Sequence, residues 1–289
     1  MARILITGAS SGIGEAAALQ LAASHEVIAT VRSDAACQSL LDQARDAGVS
    51  LDVALLDVTD FAAVDGLVDS LVQHGGIDVL IQNAGAGHVG TTEELVFDDL
   101  RACMELNFFA AAHIVQAVLP SMRARHTGRI IVVTSIGGVV GQPFNDAYCA
   151  AKFAIEGLLE SLHPVAAAVG VQVTVVEPGP VATKFIDNLT GLDSVFSGDD
   201  GLYAVEKAAY LARLGSPERL AGMQTSEDVA QVLVGLVESD SPPFRAQTSS
   251  WSTEFVGVKL GDLDGSATTG MTSSWVATPE TGVDPHGRE

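Results

Sequence analysis

The chain is short of the residues that would place it in several functional classes. It has three cysteines, Cys37, Cys103 and Cys149. Their number is odd and their spacing fits no metal-ligand pattern, so neither a disulfide framework nor a metal site is expected, and the thiols should be reduced and buried. Cations are also sparse, with 15 Lys and Arg against 36 Asp and Glu, for a formal net charge of −21. A nucleic-acid surface needs excess Lys and Arg to displace counterions, which sets that class aside. The same field opposes docking to another acidic protein unless a local basic patch offsets it. Arg123, Arg125 and Arg129 are the one such cluster, close to an expected helix end. No run of eighteen apolar residues occurs, so no membrane-spanning helix is expected. The apolar run that begins at Ile4 is too short for a signal peptide, and the expected compartment is the cytosol.

What is present is apolar material in a regular rhythm. With 289 residues and 47% hydrophobic content the chain suffices for one well-buried domain. Strands are expected at residues 3–7, 25–31, 50–56, 77–82, 129–134 and 171–176, with an edge strand at 244–248. Between them lie helical stretches at 15–23, 35–47, 60–73 (with Asp60 as N-cap), 95–125 (broken near Asn107) and 148–169. Pro164 should kink the last of these at a cost of about 3 kcal/mol. Strands alternating with helices predict an α/β, doubly wound Rossmann parallel sheet of about seven strands, in a single domain over residues 1–256. Residues 181–225 read as a lid loop carrying a helix at 203–214. A helix capped by Ser226 follows at 226–238, and residues 257–289 form a C-terminal extension in which Trp275 needs cover.

Two local patterns carry chemistry. Thr7-Gly8-Ala9-Ser10-Ser11-Gly12-Ile13-Gly14 follows the first strand and opens the first helix. Glycines there let the backbone approach a pyrophosphate seated on the positive helix end. Further on, Tyr148 and Lys152 lie four apart and share one helix face, with Ser135 thirteen residues upstream. A nearby ammonium favours the phenolate and should lower the tyrosine's proton affinity, while a serine hydroxyl holds a carbonyl oxygen beside it. Together they make a proton-transfer site for the C=O/CH–OH pair. His88, His113 and His163 lack partner spacing for a metal or a Ser-His-Asp site and read as structural.

These motifs, with Asp57-Val58, Asn83-Ala84-Gly85, Asn107 and Pro178-Gly179 in the same order, resemble the short-chain dehydrogenase/reductase family over residues 3–248. The stretch 143–157, Glu177-Pro178-Gly179-Pro180-Val181 with Thr183, and the region from Phe244-Arg245 to Leu260 are similar to its 17β-hydroxysteroid and retinol dehydrogenase branch. The resemblance implies Tyr148 as acid or base, Lys152 as its tuning cation and ribose ligand, Ser135 as oxygen anchor, and Asn107 as holder of a relay water. It implies cofactor contacts from Gly8, Ser10, Ser11, Gly12, Ile13, Gly14, Asp57, Val58, Asn83, Ala84, Gly85, Tyr148, Lys152, Pro178, Gly179, Val181 and Thr183. It also implies a homodimer or homotetramer. One departure is Gln82, where the family usually has an asparagine; it keeps an amide, and a small effect on the loop is expected.

Cofactor choice follows from charge. The second expected strand ends at Val31-Arg32-Ser33 with no acid before Arg32. A 2′-phosphate needs a cation and a free ribose hydroxyl an acid, so Arg32 with Ser11 favours NADP(H), and Asp34 keeps NAD as the minor alternative. A hydrophobic ketone or aldehyde is the expected substrate, in a pocket of Val139, Gln142, Phe144, Pro180 and the apolar loop residues Leu189, Leu192, Val195, Phe196 and Leu202. Reduction of a 3-oxoacyl thioester uses the same four catalytic residues. A non-catalytic NADP(H)-binding regulator is the reading from another class, and the presence of all four residues disfavours it.

Overall fold

The computed structural model describes residues 1–183, 202–216 and 223–276. Alternate strand residues face different helical layers, as a parallel sheet covered on both sides requires. Ile4 and Ile6 enter one apolar cluster and Leu5 between them enters the other. The strands are β1 (Arg3–Ile6), β2 (Glu26–Val31), β3 (Asp52–Leu55), β4 (Val79–Gln82), β5 (Gly128–Val133), β6 (Val171–Glu177) and β7 (Arg245–Gln247). All pair in parallel, in the order β3-β2-β1-β4-β5-β6-β7. Helices α1 (Gly12–Leu21), α2 (Asp34–Asp46) and α8 (Ser226–Glu238) cover one face. Helices α3 (Phe61–Gln73), α5 (Ala110–Arg125) and α6 (Asp146–Ala167) cover the other. The strand order reverses between β1 and β4, which opens a crevice at their carboxyl ends.

Several elements differ from expectation in informative ways. Helix α1 starts at Gly12, not near residue 15, so Gly12, Ile13 and Gly14 of the glycine turn already belong to the helix's first turn. The expected break near Asn107 is a π-helical turn, Glu105–Phe109, between α4 (Phe97–Met104) and α5. Asn107 Nδ2 donates to the Cys103 carbonyl at 3.0 Å and to the Ala86 carbonyl at 2.9 Å, and so competes with the helix's own ladder. Helix α6 continues through Pro164 to Ala167. Residues 97–125 form one helical stretch long and apolar enough to cross a membrane, which run length alone did not indicate. Its Ala110, Ile114, Val115, Val118 and Met122 are buried against the sheet, and that burial accounts for the apolarity.

The N-cap of α8 is Thr225, one residue before the expected Ser226. Its hydroxyl accepts from Asp228 N at 3.1 Å, and Asp228 Oδ2 accepts from Thr225 N at 2.9 Å, a reciprocal capping box. Thr225→Ala is expected to cost about 1 kcal/mol of stability, read from a denaturant midpoint, and an unchanged midpoint would discount the cap. Two helices were not anticipated, α9 (Ser250–Leu260) and α10 (Ser266–Ser273). Their Ser, Thr and Gly content gives little helical signal. Burial of Phe255, Val256 and Trp275 in a shared cluster supplies the order instead. Helix α9 runs through residue 256.

Two arginines of the cluster are spent inside the fold, while Arg123 is exposed. Arg125 pairs with Asp78 at 2.8 Å, and Arg129 donates to the carbonyls of Leu236, Val237 and Ser239 at the end of α8. Both contacts border a groove of about 540 Å³ at the amino end of the sheet, remote from the crevice.

Candidate active site

The crevice is built by close backbone approaches that only glycine permits. Gly8 has φ +69°, and a Cβ there would lie 2.7 Å from Ala84 Cα. A Cβ on Gly14 would lie 2.4 Å from the Gly8 carbonyl oxygen and 2.5 Å from Asn83 Nδ2. Asn83 Nδ2 donates to the carbonyls of Thr7 and Gly8, while Thr7 Oγ1 accepts from the amides of Asn83 and Ala84. Gln82 Oε1 accepts from the Thr7 hydroxyl and its Nε2 donates to Ala84 O, so its longer amide braces both loops at once. Ser11 caps α1 without a side-chain hydrogen bond, which leaves the amides of the first turn available to an anion. Gly14→Ala should cost about 1–3 kcal/mol through the overpacked turn, seen as a lowered Tm; an unchanged Tm would mean the loops yield.

Other cofactor candidates border the same crevice. Arg32 is exposed at the end of β2, and its charge reaches Asp57 at the end of β3. Hydrogen bonds from the Thr59 backbone and hydroxyl, helped by that charge, hold the Asp57 carboxyl below its usual range. Val58 beside it is buried. On the far side, a Cβ on Gly12 would lie 3.4 Å from Thr183, so the residues after Pro178-Gly179 close down on the glycine turn. Val181 makes a parallel bridge to Gln224 that fixes this segment. These glycine approaches and the uncapped helix start fit a dinucleotide.

The four candidate catalytic residues converge. Tyr148 and Lys152 project from α6, Ser135 caps the short 3-10 turn that follows β5, and Asn107 lies in the π-helical turn. A Cβ on Gly137 would lie 3.3 Å from Ser135 Oγ, from Tyr148 Cε1 and from Gln142 Nε2, which places three of the expected side chains around one point. Ser135 and Tyr148 are hydrogen-bonded to each other. Gly85 separates Asn107 from Lys152, since its Cβ would lie 2.8 Å from Asn107 Oδ1 and 3.4 Å from Lys152 Nζ. Lys152 Nζ donates to the Val133 carbonyl at 3.3 Å and lies 5.7 Å from the Tyr148 ring centre.

The electrostatics depart from the expectation that the ammonium lowers the phenol. Burial pushes the Tyr148 phenol well above its usual range, with the Ser135 hydrogen bond opposing. Burial also brings Lys152 down to about 8, with Cys103 and Glu156 pulling the other way. Desolvation favours the neutral form of each and outweighs their mutual influence. Tyr148 is therefore a phenol with its proton in place.

Beside this centre lies a cavity of about 290 Å³. Gln142 and Pro180 line it as expected positions, together with Ile136, Tyr210, Leu214, Trp251 and Trp275. Val139 and Phe144 are buried and pack behind the wall, Phe144 against Tyr210 with ring centres 5.3 Å apart. Leu202 is exposed. Leu189, Leu192, Val195 and Phe196 lie outside the described residues. Sequence reading missed Tyr210, Trp251 and Trp275, although two tryptophans in a chain with little aromatic content were a usable signal. Helix α7 (Ala204–Leu214) is fastened over the cavity. Its Lys207 pairs with Glu94, Tyr203 donates to Glu93 at 2.6 Å, and the Tyr210 hydroxyl accepts from Asn145 at 2.8 Å. Of the histidines, His113 stacks on Phe61 and bonds Asp65, His163 bonds the Val173 carbonyl, and His88 is buried. No group of acidic, cysteine and histidine side chains fit for a metal ion occurs among the described residues.

The model of the short chain dehydrogenase family matches residues 2–191. Retinol dehydrogenase 8 of Bos taurus is 38% identical over 271 residues, covering 91% of this chain and 86% of its own. The human 17-beta-hydroxysteroid dehydrogenase type 1 is 36% identical over 271 residues, covering 91% and 82%. Among solved structures, a short-chain dehydrogenase from Streptomyces avermitilis superposes with a TM-score of 0.77 at 29% identity, covering 95% of this chain and 98% of its own.

Proposed function

Because the chain belongs to the short-chain dehydrogenase family, and so is an oxidoreductase of the CH–OH group, we propose that it interconverts a hydrophobic ketone or aldehyde and its alcohol with NADP(H). The observation that carries this reading is the meeting of Ser135, Tyr148 and Gln142 around Gly137 beside an aromatic cavity. The glycine turn, Asn83 to Gly85, Asp57, Val58 and the segment from Pro178 to Thr183 would hold the dinucleotide, with Arg32 and Ser11 on its 2′-phosphate. Bound there, the nicotinamide supplies or accepts hydride. Ser135 holds the substrate oxygen, and Tyr148 delivers its phenolic proton to it as the carbonyl becomes an alcohol. Lys152 stabilises the phenolate left behind. Asn107, already donating to the Ala86 and Cys103 carbonyls, orders the path by which a proton returns through Lys152 to the phenolate.

Retinal, a steroid ketone, an aryl ketone and a 3-oxoacyl thioester, each offered with NADPH and followed by cofactor absorbance, test the reading. Turnover of a hydrophobic ketone or aldehyde supports it, and preference for the thioester would favour that second activity. Saturable NADPH binding without turnover of any would favour a regulator. Exposed Val96 and Phe97 at the start of α4, and Phe109 at the end of the π-helical turn, support assembly into a homodimer or homotetramer, with an elution mass of two or four chains as the expected result. We place the protein in the cytosol.

A further inference from the structure

Directly behind the tetrad lies a buried ionic cluster that the chemistry above does not use. Glu156 sits one helical turn after Lys152 on α6 and is 3% exposed, and Glu177 at the end of β6 is fully buried. Both carboxylates are held by one guanidinium, that of Arg245 on β7. Arg245 also reaches the exposed Glu160 at 2.7 Å, and Gln247 donates to Glu177 at 2.7 Å. The other oxygen of Glu156 accepts from the Thr134 hydroxyl at 2.8 Å. A Cβ on Gly138 would lie 2.4 Å from Glu156 Oε1, so the turn that carries Ser135 rests on this carboxylate. One side chain thus touches the segments bearing Ser135, Tyr148 and Lys152, and through Arg245 it joins the strand that leads into Pro178-Gly179.

The charge count gives the cluster a purpose. Two buried carboxylates and one guanidinium leave one negative charge uncompensated, and isolated buried charge is costly. Lys152 is 5% exposed and makes no direct ion pair among the described residues. It is the cation that brings the buried group to neutrality. The groups facing Glu156 are Lys152 and Glu160 on its own helix, Thr134 just after β5, Glu177 on β6 and Arg245 on β7. Those facing Lys152 are Tyr148, Glu156 and the Cys103 thiol of α4.

We infer that Glu156 is a positioning residue that keeps the Lys152 ammonium charged in its buried site and holds Lys152 and Ser135 in register through Arg245 and Thr134. This rests on the reductase reading for its consequence, although not for its test. Burial and the neighbouring Glu177 raise the Glu156 carboxyl to about 6, against the pull of Arg245 and Thr134. The carboxylate is therefore charged at neutral pH and sustains Lys152 there.

The chain has only four lysines, Lys152, Lys184, Lys207 and Lys259, so lysine labelled with carbon-13 at Cε gives an assignable titration in the full-length protein. In Glu156→Gln the Lys152 midpoint is expected to fall by about one pH unit, since a carboxylate that favoured the ammonium is gone. The alkaline limb of the reductase profile should move down with it, and kcat should fall about tenfold while KM for NADPH changes little. Glu160→Gln, which neutralises only the exposed carboxylate on the same arginine, should leave the midpoint in place. If Glu156→Gln does not fold, Glu177→Gln serves, with a smaller fall expected. An unmoved Lys152 midpoint in whichever variant folds would overturn the inference, whatever happens to turnover. A shifted midpoint in a protein that reduces nothing would instead count against the reductase reading alone.

Discussion

Tyr148→Phe is expected to lower kcat for carbonyl reduction by ~10²–10⁴-fold, the range for losing a positioned general acid. The argument rests on where the hydroxyl lies. Tyr148 is hydrogen-bonded to Ser135 and its ring edge borders Gly137, so the phenol presents its proton beside the serine that would anchor the substrate oxygen. Among the described residues no other acid is seated at that point. Phenylalanine keeps the ring and its packing against α4 while removing only the hydroxyl, so the fold should be unaffected. Stopped-flow absorbance of NADPH separates chemistry from binding. A variant with full reductase activity would remove Tyr148 from the mechanism.

The second large effect concerns cofactor choice. Arg32→Ala is expected to weaken NADPH binding about tenfold to a hundredfold, while NADH binding is unchanged, because a charge-assisted hydrogen bond is worth about 1.5–3 kcal/mol. Arg32 projects from the end of β2 where an acid would otherwise meet a ribose hydroxyl, and its charge acts on Asp57. Asp34 begins α2, directly after the Ser33 cap. Cofactor titrations followed by nicotinamide fluorescence would read the difference, and equal loss for both dinucleotides would indicate that Arg32 merely shapes the loop.

Much of this molecule was legible because its signals are local. Tyr148 and Lys152 share a helix face by spacing alone, the glycine turn sits where a strand becomes a helix, and alternating apolar strands announced the sheet. What escaped depends on residues far apart in sequence. Trp251, Trp275 and Tyr210 reach the cavity from three segments and meet only through tertiary packing. Glu156, Glu177 and Arg245 come from a helix and two strands, and nothing in their spacing announces that they share one buried site. The acidity of Tyr148 was misjudged for the same reason. The ammonium four residues away was visible, whereas the burial that outweighs it is a property of the assembled fold. The cap of α8 was missed by one residue because Thr225 and Ser226 are equally good caps on paper, and the reciprocal bond with Asp228 decides for Thr225.

The cavity wall has a spectroscopic consequence. The chain has two tryptophans, and Trp251 and Trp275 both line the cavity, each stacked on Phe255 with ring centres 5.1 and 5.7 Å away. Arg213 lies over the Trp275 ring at 4.5 Å. The intrinsic emission of this protein is therefore emission from the pocket, undiluted by indoles elsewhere. A compound entering beside them would change its intensity or colour directly, and a nicotinamide in the adjoining crevice would draw energy from it. The molecule carries its own label, so ligands can be screened on the unmodified chain before any turnover is found.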